Sequence, residues 1–327
     1  MQTPMPTPVR TLSLLESDTD DATWDGLIAD LPQPTVFSRS GFLRALGCRH
    51  RRMELRDGHR RLALLALTEN DAGDQLLPQP FTPYQGPLFL HAPDSTPRQR
   101  LQDEFRASTH LADALAGRYT RLRLALPWQL QDMRPWLWHD YHAANAPHYR
   151  ATPRYTAVLP LTGLDAEAYL ARVRSCRRQE WRKAAALALH DDVAVTDFLA
   201  LYAATFERQG LQIDPGQLAV VRRITEAALA GGWGSLSGIS GPGGSLASAT
   251  LFVHDGQRIY YLFGANDPAQ RASGASTRLL VHNILQAAGR GLAELDFVGV
   301  NSPDRGDFKL SFDPTLCTHF ELQRDAH

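Results

Sequence analysis

Residues 250–312 read TLFVHDGQRIYYLFGANDPAQRASGASTRLLVHNILQAAGRGLAELDFVGVNSPDRGDFKLSF. Two runs of β-formers, Leu251–Val253 and Ile259–Phe263, flank Asp255-Gly256, a pair suited to a tight turn with positive φ at both central positions. Gly264 ends the second run. Ser276 is a good N-cap, and Leu279, Leu280, Ile284, Leu285 and Ala288 follow at helical spacing, with Gly289 and Gly291 as the stop. Leu292 to Val298 reads as a strand. Alternation puts Glu294 and Asp296 on one face, with Asp296 nearer the end. A polar loop then closes in Phe308-Lys309. Strand, helix and strand in this order open a ligand crevice at the carboxyl ends of the strands. That brings residues 264–266 and 298–309 to one cleft.

Composition sets the outer bounds. A chain of 327 residues predicts two domains, and the apolar fraction is that of an ordinary globular protein. The net charge of −1 rules out a molecule that binds nucleic acid with its whole surface, so any anion site is a local patch. Three cysteines, Cys48, Cys176 and Cys317, are odd in number and far apart. They fit neither a disulfide framework nor a zinc site, and point to a reducing, cytoplasmic setting. The first residues turn acidic without an apolar core, unlike a signal peptide. No run approaches 18 apolar residues, so no membrane span is expected. Lysine occurs only at Lys183 and Lys309. Arginine-biased codon usage explains that; so does a need for a compact ammonium where a planar guanidinium will not serve.

The first half reads as an alternation of strands and helices. Val9–Leu14 is a strand, Asp21–Leu31 a helix, and Gly41–Leu46 a helix capped by Ser38 or Ser40. Met53–Arg56 and Leu62–Leu67 pair across Asp57-Gly58, Arg98–Leu115 is a helix, and Arg121–Leu126 a strand. LLPQPFTPYQGPLFLHAP holds too many prolines for a helix. Its Phe81 and Tyr84 either line a pocket or pack a rigid loop. Trp136–Tyr141 is aromatic and reads as core. His139 and His142 lack a third ligand. The segment 143–153, with two prolines, is the best boundary, giving halves 1–145 and 146–327.

Tyr155–Leu161 opens the second half as a strand. Asp165–His190 reads as one long helix carrying Arg172, Arg174, Arg177, Arg178, Arg182 and Lys183. Glu180 is its only acid between Ala171 and Leu189, so its charge is not laced into i,i+4 pairs. Such a face is either simply solvated or suited to a pyrophosphate or a tRNA backbone. Val193–Val195 is a strand, the next helix runs through Glu207, and Pro215–Ala230 is another.

The order of a YYLFGAND strand end, a helix, an LDFVGV strand and a closing FKLSF resembles the FemAB-like branch of the GNAT acyltransferase superfamily. The PFTPYQG loop is similar to one that ends the first half in that family. The resemblance implies an α/β fold of two tandem GNAT-like halves, mixed sheets flanked by helices, and transfer of an acyl or aminoacyl group to an amine. It implies aminoacyl-tRNA as donor, with acyl-CoA the alternative, and a peptidoglycan precursor, peptide or small amine as acceptor. No tightly bound cofactor or metal is implied. A non-catalytic protein that keeps the fold to hold an anionic ligand is the reading from another class.

Amine acylation needs a proton acceptor, donors for the tetrahedral oxyanion, and an anchor for the donor's phosphates. Lys309 is the leading catalytic candidate, its ammonium meeting the donor carbonyl or a phosphate. Asp296 is a base or orients a neighbour, or else caps the next loop. One of Tyr260 and Tyr261 faces the core; Tyr261 is the catalytic candidate. Asn301 and Arg305 are loop neighbours suited to hydrogen-bonding substrate, and Tyr84 is a further substrate-binding candidate. Arg178, Arg182 and Lys183 come from the basic helix. Arg208 follows the helix ending at Glu207, where the family carries a similar arginine. The family's phosphate loop, Arg/Gln-x-x-Gly-x-Gly/Ala at a helix N-terminus, is met in part by Arg271-Ala-Ser-Gly274-Ala-Ser276. Ser276 stands where the last small residue belongs. That departure favours a donor other than acetyl-CoA. The sequence holds no GxSxG elbow, Walker loop, HExxH or dinucleotide fingerprint.

Overall fold

The structure is a computed structural model that describes residues 12–207 and 213–326. The elements of the first half are β1 (Leu12–Glu16), α1 (Asp21–Ala29), α2 (Ser40–Leu46), β2 (His50–Asp57), β3 (Arg60–Thr68), β4 (Gln75–Leu76), β5 (Leu88–Phe89), α3 (Pro97–Arg118), β6 (Arg121–Ala125) and α4 (Arg134–Leu137). There follow β7 (Arg150–Pro160), α5 (Ala166–Arg172), α6 (Ser175–Lys183), β8 (Leu189–His190), α7 (Val195–Glu207), α8 (Pro215–Ala230), β9 (Gly234–Ser240) and β10 (Leu246–His254). The last are β11 (Arg258–Asn266), α9 (Ala275–Gly289), β12 (Glu294–Asp296), α10 (Pro303–Leu310) and β13 (Thr315–Asp325).

Among the described residues these strands form two sheets. One runs β1-β2-β3-β5; the other runs β4-β6-β13-β7-β12-β11-β10-β9-β8. The fold is mixed α/β, as the sequence predicts, with helices flanking both sheets. β13 joins β6 on one side and β7 on the other, so the last strand of the chain binds elements from both halves into one sheet. Leu322, fully buried, is opposite Leu124 and Ala151 in that seam. Burial of such side chains, at about 25 cal/mol per Å² of apolar surface, is the main favourable term holding the layers together.

Several local expectations change. Asp255 does not adopt positive φ; only Gly256 does, at 101°. The buried Asp255 carboxylate instead accepts the amides of Gln257 and Arg258, closing the turn from the side. The predicted long helix 165–190 is two helices. Val173 leaves the helical region (φ −59°, ψ 152°), and the second helix restarts at Ser175 without a side-chain cap. The predicted strand at Val193–Val195 is absent; the strand is β8, and Val195 already starts α7. Gly274 in the left-handed conformation, not Ser276, caps α9. Lys309 sits in helix α10, started by Ser302-Pro303, not in a loop. In Trp136–Tyr141, Trp136 is core but Trp138 and Tyr141 are mostly exposed. Val9 and Arg208 lie outside the described residues.

Leu322→Ala should lower stability by ~2–5 kcal/mol in chemical denaturation, because a sheet seam cannot collapse around the void. A loss below ~1 kcal/mol would mean that the seam is not part of the cooperative core.

Candidate active site

β11 and β12 pair in parallel only from Arg258–Tyr260 to Glu294–Asp296. Past that point β11 continues to Asn266, while the segment after β12 turns at Val298. The two strands part there, and Lys309, Asp296, Tyr84 and Tyr261 lie beside the point of parting. A bulge lies just beyond, where pairing with β10 shifts between Leu251 and Phe252, so that Phe252 faces Tyr261 and Leu251 faces Phe263.

Asp296 is wholly buried. Its Oδ1 accepts the Thr156 hydroxyl at 2.6 Å and the Val298 amide at 2.8 Å; its Oδ2 accepts the Tyr84 hydroxyl at 2.8 Å. Burial pushes its carboxyl above the ordinary value, and the three donors pull it back. Both oxygens are occupied, so the carboxylate orients its neighbours and touches no open space. Tyr84 is carried into this contact by the proline-rich loop of the first half. Its phenol is pushed well up by burial and by the facing carboxylate.

Lys309 reaches from α10 to the turn after β12. Its Nζ donates to the carbonyls of Phe297 at 2.6 Å, Val298 at 3.1 Å and Gly299 at 3.0 Å. The ammonium lies 5.5 Å from the centre of the Tyr261 ring. Burial lowers its pKa from 10.5 to about 8, against the attraction of Asp296. Tyr261 stacks on Phe252 at 5.2 Å. Burial takes its phenol to about 12, and its hydroxyl has no partner among the described residues. Tyr260, on the opposite face, is the core member of the pair and donates to Asp255 at 2.6 Å.

Other predicted residues are differently engaged. The Asn301 side chain both accepts from and donates to the Tyr155 backbone, extending the edge of β7. Arg305 is exposed on α10 and has no hydrogen-bond or ion partner among the described residues. Arg178 donates to the carbonyls of Ala171 and Val173 at the end of α5, a capping role. Lys183 donates to the Ala272 carbonyl, and Arg182 is exposed. Ser276 lies in the first turn of α9. The basic charge is paired after all: Arg172 with Asp313 and Arg174 with Asp307 across elements, and Arg177 with Glu180 one turn along α6.

Three groups escaped sequence reasoning. Thr156 had no signal. Val298 looked like an ordinary strand residue. Glu180, the lone acid of a basic helix, was a signal read only as missing pairing. It accepts the Thr277 hydroxyl in the first turn of α9 and the Arg177 guanidinium at 2.6 Å. Arg177 also donates to Ser311 at 2.8 Å and lies over Phe308 at 4.7 Å. The Glu180 carbonyl is so close to Gly274 that a Cβ there would meet it at 2.5 Å, and Arg278 of α9 stacks on Trp181 at 4.9 Å. Helix α6 therefore covers the N-terminus of α9, the end whose free amides and dipole attract anions. Among the described residues no group of acidic, histidine and cysteine side chains is set to hold a metal, and no helix is long and apolar enough to cross a membrane.

Residues 171–309 match the model of the acetyltransferase (GNAT) domain family. The structure is similar to that of FemX, with 13% identity, a TM-score of 0.66, and 94% of this chain and 96% of that one covered. It is also similar to a tandem GNAT protein from the clavulanic acid biosynthesis pathway (14%, TM-score 0.52, 96% and 98% covered). A third is L-PGS from Bacillus licheniformis (12%, TM-score 0.52, 94% and 92% covered). These likenesses show the tandem GNAT-like fold. No curated protein matches the sequence.

Lys309 gives a signed pH prediction. Its folded pKa is lowered, so the native state holds the proton less firmly than the unfolded chain between about 8 and 10.5. Its contribution to stability thus rises with pH across that window and is least below pH 8. Native protein should gain stability relative to Lys309→Met as pH rises from 8 to 10; parallel curves would contradict the buried ammonium.

Proposed function

We propose that this chain transfers an aminoacyl group from aminoacyl-tRNA to an amine acceptor where β11 and β12 part, beside Lys309. In this reading the neutral amine attacks the ester carbonyl. The new C–N bond forms as the carbonyl oxygen takes the negative charge; the C–O bond to the tRNA ribose then breaks, and the amine proton passes to the leaving oxygen. Lys309 supplies a fixed, desolvated positive charge beside that oxygen, and the unpartnered Tyr261 hydroxyl a donor.

The observation that carries the donor assignment is the covered N-terminus of α9. A carboxylate, Glu180, stands at the helix end that would otherwise take a diphosphate. A second like charge there is repelled, and Gly274 leaves no gap between α6 and α9. The exposed Arg182 offers a contact for a polynucleotide backbone instead. The likeness to FemX over nearly the whole of both chains favours the same branch. Acyl-CoA remains the second reading, favoured by the GNAT domain match and by the tandem GNAT neighbour, whose structure is described as "without AcCoA". Peptidoglycan precursor, peptide and small amine are the acceptor classes to assay.

Titration with acetyl-CoA and, separately, with charged tRNA tests the donor. Binding of charged tRNA that weakens with salt is expected, with no binding of CoA. Arg182→Ala should flatten the salt slope by about 0.7, the value for one single-strand phosphate contact. Tight CoA binding without tRNA binding would move the function to the CoA branch. Binding of neither would leave the anion-binding reading.

A further inference from the structure

Gly264 reads from the sequence as the end of a strand, yet β11 runs through it to Asn266. Its backbone does not require glycine either, because its φ lies outside the left-handed region. What requires glycine here is space. A Cβ on residue 264 would stand 3.0 Å from Cζ and 3.3 Å from Cε2 of Tyr261, and closer still to the phenol oxygen. Carbon atoms rest about 3.5–4.0 Å apart, so one of the two groups would have to move.

The bulge in β11 brings these residues together. Three apart in a regular strand, they would lie on opposite faces. Pairing with β10 skips a residue, so that Phe252 faces Tyr261 and Thr250 faces Gly264. Phe252 and Thr250 alternate to one face of β10, and the residues opposite them share that face. The Tyr261 ring is held on its other sides. It stacks on Phe252 at 5.2 Å, meets Phe297 edge-on at 6.5 Å, and has the Lys309 ammonium 5.5 Å from its centre. A ring pushed off residue 264 therefore shifts relative to that ammonium.

We propose that Gly264 is a positioning residue: its missing Cβ is the seat of the Tyr261 phenol, and it fixes the hydroxyl and the ring beside Lys309 where β11 and β12 part. The inference rests on the reading of Tyr261 as a donor to the acyl oxygen. A side chain at 264 displaces that hydroxyl, and a shorter side chain at 261 removes the conflict.

The chain's two lysines give a reporter that needs no turnover. With lysine labelled at ¹³Cε, Lys183→Arg assigns the pair, and Lys309 senses the ring current of Tyr261. Gly264→Ala should move the Lys309 ε-methylene resonances and leave those of Lys183 in place. In Tyr261→Leu, which has no ring or hydroxyl to meet residue 264, the same alanine should move neither. Single-turnover transfer should follow this pattern. Gly264→Ala should be about a hundredfold slower, with no further loss when it is added to Tyr261→Leu. Lys309 resonances unchanged by Gly264→Ala overturn the proposal. So does a shift that persists in Tyr261→Leu, since the alanine would then act through the strand and not the ring. If Gly264→Ala does not fold, the double variant decides: it should fold as Tyr261→Leu does, and its failure to fold overturns the seat. The resonances decide the seat even if no donor is used and the functional reading fails.

Discussion

A single ammonium has to be kept dry where two strands part, and much of the site follows from that constraint. Removing a cation from water is unfavourable unless donors and acceptors replace the solvent. Lys309 meets the condition with three backbone carbonyls, the face of Tyr261 and the nearby charge of Asp296. The carbonyls converge because the turn is wound against its preference. The winding is held because Asp296 accepts the Val298 amide, Thr156 accepts the Gly299 amide, and the Thr156 hydroxyl donates to Asp296. Tyr84 closes the network from the first half. Residues of the first and second parts of the chain are thus joined through one buried phenol and carboxylate pair, not merely through shared apolar surface.

The second organising contact is α6 on α9. The anion-attracting end of α9 faces an internal carboxylate, and Arg177 links that carboxylate to Ser311 and Phe308 at the end of the Lys309 helix. Helices α6 and α10 are therefore joined by one guanidinium. The polar interactions run across elements far apart in sequence, so truncating either helix would disturb both.

The periodic and punctuated parts of the fold were legible in the sequence. The α8 range Pro215–Ala230, the strand pairs at Asp57-Gly58 and Asp255-Gly256, and the β11-α9-β12 order all follow from local chemistry. Helix α9 was misplaced only by two residues at its cap. What failed was long-range. The break at Val173 exists because the chain must bend to lay α6 across α9; no local breaker marks it. Lys309 was singled out by scarcity, but its helix was missed because Pro303 and Gly306 mimic a loop. Asp296 was found through alternation. Its three donors come from residues 84, 156 and 298, and no spacing rule connects those positions. Thr156 and Val298 owe their roles to contacts that only the closed sheet creates.

The most direct test of the account is single-turnover transfer of a labelled amino acid from charged tRNA to a panel of amine acceptors, with Lys309→Ala alongside. The account predicts transfer by the native chain, about 10²–10³-fold slower in Lys309→Ala, the loss expected on removing one preorganised charge beside the developing oxyanion, with tRNA binding intact. Transfer at an equal rate in both proteins would contradict it, because the charge that the fold is arranged to hold would then have no part in the reaction.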